Sequence, residues 1–153
     1  AAKEGPIVGT YREVEKTSRV NELDNWQSFA EHVYSHREQL LDILAEITVA
    51  GGPIAGYGAS ARSSTLLNFC GIDSGLVSVI ADHNPLKQGH YTAGTRIPIA
   101  SPEEVMKENP EYVVILAWNF ADEIMRILRN KFSFRGQCIL PLPNSPKVVK
   151  MVE

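Results

Sequence analysis

Hydrophobic and polar positions along the chain change period several times, and each change marks an element. From Asp24, the residues Trp26, Phe29, Ala30, Val33, Tyr34, Leu40, Leu41, Leu44 and Ile47 recur at intervals of three and four. This is the stripe of one long helix over 24–48, stopped by Gly51, Gly52 and Pro53. A short apolar strand then runs into a glycine turn, and a helix over 59–69 carries Leu66 and Leu67, with Gly71 as its stop. The β-rich run 76–81 is a second strand, ending on Asp82, Asn84 and Pro85.

A third short strand is expected over 96–99. Ser101, Pro102 and Glu104 then form a capping box with proline at the first helical position, opening a helix that stops near Asn109, before Pro110. The unbroken apolar run 112–117 reads as a central parallel strand covered on both faces. A helix over 120–131 and a last strand over 137–140 follow, and the proline-rich tail from Pro141 is expected to run extended over the surface. Residues 1–23, with Gly5, Pro6 and Gly9 among charges, read as a linker or extended lead-in. Strands alternating with helices predict an α/β fold, a doubly wound and mostly parallel sheet preceded by one long N-terminal helix.

In such sheets ligands gather beyond the carboxyl ends of the strands. Three loops share that rim: 56–62 after the first strand, 82–89 after the second, and Trp118 with Asn119 after the fourth. Gly56, Gly58 and Ala61 satisfy the spacing G-x-G-x-x-A, in which the glycines allow a tight turn and a close backbone approach to a phosphate and the alanine allows the helix to pack near the strand. A plain strand-to-helix turn needs the same glycines. Tyr57, Ala59 and Ser60 belong to the turn, and Arg62 adds a forked cation. Asp82 lies near the spacing at which a carboxylate meets a ribose hydroxyl, although an Asx turn with Asn84 explains it equally. Lys87, Gln88 and Gly89 are placed to close on a ligand from the same rim, and a solvated loop explains them almost as well. Trp118 offers a stacking face, and Asn119 is also suited to cap the helix that follows.

Composition narrows the classes. The chain has 153 residues, about one domain, with 44% hydrophobic and 22% charged residues and a net charge of −3. No basic run points to nucleic acid, and no apolar run is long enough for a bilayer. Cys70 and Cys138 are isolated and read as buried thiols of a cytoplasmic protein. His32 and His36 stand four apart, but without a third ligand no metal site is expected. His83 and His90 flank the rim loops without a recognisable catalytic arrangement, and no catalytic residue is assigned. The chain opens without a methionine, which suggests part of a longer protein.

Taken in order, GYGASARSSTLLNFCGI, DHNPLKQGHYTAGTRIPIASPEE and YVVILAWNFADEI resemble the C-terminal domain of the SAM-dependent sugar C-methyltransferases over about residues 51–143. The resemblance implies a Rossmann-like C-terminal domain over 24–153 that follows a zinc-binding piece and a central SAM-binding domain. A nucleotide-linked keto-deoxysugar would lie between the last two domains. It further implies that a base removes the proton beside the ketone and the enolate attacks the methyl group of S-adenosylmethionine. Cofactor and base would both sit upstream, leaving this fragment inactive by itself. Arg62 and Ser63 replace the Lys and Gly common in the family, so the cation is kept with changed geometry and a side chain is added in the turn. Two other classes fit the residues: an NAD(P)-binding module of an oxidoreductase, from the glycines and Asp82, and a non-enzymatic interaction domain that docks a partner on the long helix.

Overall fold

The computed structural model describes residues 5–151. In chain order the elements are α1 (Pro6–Thr17), α2 (Leu23–Val49), β1 (Ile54–Tyr57), α3 (Ala61–Cys70), β2 (Val79–Ala81), β3 (Ile99–Ala100), α4 (Pro102–Lys107), β4 (Tyr112–Ile115), a 3-10 turn (Trp118–Phe120), α5 (Ala121–Phe132), β5 (Gln137–Leu140) and β6 (Lys147–Lys150). They fall into two compact units, one ending at His36 and the other beginning at Arg37.

The first unit differs from the sequence expectation. In place of an extended lead-in, Pro6–Thr17 is a helix with Gly5 as its N-cap and Pro6 in its first turn, so two helices precede the sheet. Proline there is no breaker, because the missing N–H would have had no acceptor at that position. The long helix itself spans Leu23–Val49, within a residue of its expected bounds.

The second unit is a six-stranded sheet in the order β3-β2-β1-β4-β5-β6, parallel throughout except for the antiparallel edge pair β5–β6. All four β1 residues are buried, as a central strand covered on both faces requires. Alternation sends Ile54 and Val114 toward Leu40, Leu44, Leu66 and Leu67 of α2 and α3. Ala55, Tyr57, Val113 and Ile115 face Val105, Ile124 and Leu128 of α4 and α5. Helices thus cover both faces around two separate apolar cores. Cys70 and Cys138 are buried and unpaired, and burial pushes the Cys138 thiol up to about 11.

Local chemistry explains where helices begin and end. Ser60 and Ser63 form a capping box on α3, and Gly71 closes the helix in the left-handed conformation. Ser101 and Glu104 form the expected box on α4, and the Ser101 hydroxyl holds the Glu104 carboxyl below its ordinary range. The tail departs from expectation: 147–150 pairs with β5 as an edge strand bearing Lys147 and Lys150 at its ends. Charged ends of this kind discourage further pairing at an exposed sheet edge.

The glycine turn also works differently from its motif. Gly56 lies within β1, and a Cβ there would come 2.9 Å from both Ile80 Cγ1 and Leu116 Cδ1, so its smallness makes room for core side chains. Ala61 is exposed, and the buried small residues where α3 meets the sheet are Ala59 and Ser63. Gly58 has φ +97°, and a Cβ there would lie 2.6 Å from the Ala117 Cβ. The close approach it permits is between the loops after β1 and β4. Gly58→Ala should cost about 2–4 kcal/mol in urea unfolding, from backbone strain plus overlap. Gly51→Ala, also at positive φ but facing open space, should cost only about 1–2 kcal/mol. Equal costs would contradict the steric assignment.

Candidate functional site

The strand order reverses direction between β1 and β4, and where the loops leaving their carboxyl ends meet, a small cleft of about 40 Å³ remains beside the start of α3. Ser60, Arg62, Ala117, Trp118 and Asn119 line it. Trp118 and Asn119 also line a wider groove of about 440 Å³, bounded by Asp122, Glu123 and Arg126 of α5 and by Asn144, Ser145 and Lys147 of the returning tail. That volume falls within the range of small-molecule sites. The tail from Pro141 therefore belongs to the rim. Its prolines signal a stiff loop, but nothing local in the sequence tells that it folds back beside Trp118.

Several of the residues expected to meet a ligand meet one another. The Asp82 carboxylate accepts from the Ala59 N–H through Oδ2 at 2.8 Å and from the Asn84 N–H through Oδ1 at 2.8 Å. Lys87 Nζ lies 3.1 Å from Asp82 Oδ2 and donates to the Ala59 carbonyl at 2.6 Å. The Gln88 amide donates to the Asp82 carbonyl, the Leu86 N–H to the Asn84 side chain, and the Gly89 N–H to the Ile99 carbonyl. Asp82 is thus a brace between the loops after β1 and β2, with both oxygens engaged. Its Asx turn with Asn84 is formed, and the carboxylate does not stand open for a ribose hydroxyl.

Within the turn, the Gly58 N–H is bonded to the Ala81 carbonyl and the Ser60 N–H to Ser63 Oγ. Ser63 is fully buried, and its hydroxyl donates to the Ser60 carbonyl, so this side chain points inward and leaves the ligand side clear. The N–H groups of Ala61 and Arg62 remain as the first-turn donors of α3, with the exposed Arg62 guanidinium beside them. Asn119 is not the N-cap of α5. The 3-10 turn, closed by the Phe120 N–H on the Ala117 carbonyl, moves the helix start on, and Phe120 occupies the cap position without a side-chain bond. The exposed Asn119 amide is left facing the rim.

Tyr57 is placed unlike its neighbours in the motif. Its ring is buried on the α4 and α5 side of the sheet, and its hydroxyl meets His83 Nε2 at 2.5 Å, with the rings edge to face. Sequence spacing gave no hint of this pair, because strands β1 and β2 must first align in register to bring their ends together. Beside it, Lys131 pairs with Glu103 at 2.6 Å, linking α5 to α4. Burial, with Glu103 and Asp82 nearby, pushes the Tyr57 phenol up to about 12. No group of three or more metal-ligating side chains occurs among the described residues.

A phenol held neutral in this way binds its proton more tightly in the folded state. Its stabilising contribution is complete below about pH 10 and falls by roughly 1.4 kcal/mol per unit as pH rises toward the folded value. In an absorbance titration of the five tyrosines, the last phenolate to form should belong to Tyr57 and vanish in Tyr57→Phe. Titration of all five together near pH 10 would refute the assignment.

Residues 1–143 match the family described as C-methyltransferase C-terminal domain. The C-methyltransferase NovU of Streptomyces niveus is 33% identical over 144 residues, which cover 94% of this chain and 34% of that protein. The chain thus spans about a third of the length of this relative. The chain belongs to the family of C-methyltransferase C-terminal domains.

Proposed function

We propose that this chain is the substrate-side, Rossmann-like domain of a SAM-dependent C-methyltransferase acting on a nucleotide-linked keto-deoxysugar. The observation that carries the reading is the division of the rim. On one side of Trp118 stand the Ala61 and Arg62 N–H groups at the start of α3 and the Arg62 guanidinium, which suit a phosphate. On the other lies the groove with Asp122, Glu123, Asn119 and Asn144, whose oxygens and amides suit ring hydroxyls. Trp118 lines both and offers its face to a base or sugar ring. A nucleotide sugar has the same three parts.

In this reading the methyl donor binds, and the proton beside the ketone is removed, in parts of a longer protein outside this chain. The work of the present residues is to hold and orient the substrate. Positioning alone contributes several kcal/mol to a bimolecular reaction when the reacting atoms are kept close and aligned. Engagement of both Asp82 oxygens within the fold weighs against a dinucleotide-binding module, which needs that carboxylate for a ribose.

Calorimetry with a thymidine-diphosphate sugar, NADH and S-adenosylmethionine in parallel tests the proposal. Selective binding of the sugar nucleotide is expected, weakened about tenfold, or roughly 1.4 kcal/mol, by Arg62→Ala and by Trp118→Ala. Binding of NADH alone, or sugar-nucleotide binding untouched by both substitutions, would overturn it.

A further inference from the structure

Helix α1 buries none of its side chains. Ile7, Val8, Tyr11 and Val14 nevertheless recur at the spacing of a single helical face, opposite Glu13 and Lys16. Ile7, Tyr11 and Val14 are 66%, 65% and 57% exposed. Early in α2, Leu23, Trp26 and Phe29 are similarly exposed, and the two aromatic rings stand edge to face with centroids 6.1 Å apart.

This surface is out of keeping with a helix that lives in water. Twelve residues are marginal for an isolated helix, and α1 also carries Gly9 in its interior and several β-branched residues. Its stability must come from apolar burial that the described residues do not supply. Tyr and Trp are also the residue types that anchor protein interfaces. The four charged side chains of α1 are balanced, Arg12 and Lys16 against Glu13 and Glu15, so apolar contact is the force available.

We infer that these exposed apolar side chains, Ile7, Tyr11 and Val14 of α1 and Trp26 and Phe29 of α2, dock on an apolar surface of the polypeptide that precedes them in the full-length enzyme. The inference rests on the reading of the chain as the C-terminal part of a methyltransferase. The matched family is a C-terminal domain, and the relative NovU is about three times as long as the stretch it shares with this chain. The remainder of such an enzyme therefore joins on the amino-terminal side, where α1 stands. A covalent connection makes this contact intramolecular, which favours this occupant over a second copy.

Hydrogen–deuterium exchange on the full-length enzyme and on the present chain tests the inference. Amides over 7–33 should exchange at least tenfold more slowly in the full-length enzyme. The double substitution Trp26→Ser and Phe29→Ser should return them to the rate of the isolated chain, while amides of β1 and β4 stay protected in both. Equal rates in the two proteins would overturn the proposal. So would protection in the isolated chain that grows with concentration, which identifies a second copy as the occupant. Nucleotide-sugar binding measured on the same samples keeps the two readings apart: protection without sugar binding refutes only the substrate assignment.

Discussion

The rim of this domain depends on one carboxylate. Parallel strands end side by side, so the loops that leave β1 and β2 bring unsatisfied backbone groups close together. Asp82 resolves this by accepting the Ala59 and Asn84 N–H groups, while Lys87 both neutralises it and bonds the Ala59 carbonyl. Its side chain is only 12% exposed, so these bonds are made where water competes weakly. With Gly58 packed against Ala117, the same framework fixes the loop after β4. Three loops are thereby held as one surface, and the donors left unused at the start of α3 are aimed past it.

Two kinds of residue stand side by side in the glycine turn and its neighbouring loops. Gly58, Ala59, Asp82 and Lys87 build the rim, whereas Arg62, Trp118 and Asn119 remain to act from it. The groove beyond Trp118 adds residues of α5 and of the proline-rich tail.

Much of the fold was legible because its signals are local. The stripe of α2, the capping box at Ser101 and Glu104, and the unbroken run that became β4 each reflect a period or a cap within a few residues. The rim itself followed from strand alternation and the rule for parallel sheets. What escaped is set by distant partners. Gly56 is small because of Ile80 and Leu116, β6 exists because β5 has an open edge, and Tyr57 meets His83 only after β1 and β2 align. Asn119 lost its capping role to a 3-10 turn that its sequence does not announce, and α1 was hidden by Gly5 and Pro6, which serve as its cap and first turn.

The rim is braced from within by Asp82 and open at the start of α3 and along the groove beside Trp118. Backbone amide NMR of the chain during titration with thymidine diphosphate tests it directly. The account predicts shifts concentrated at Ala61, Arg62, Trp118 and Asn119, with Ala59 and Asn84 little changed because their N–H groups already have acceptors. Large shifts at Ala59, Asn84 and Lys87, meaning that the ligand displaces the Asp82 brace, would contradict it.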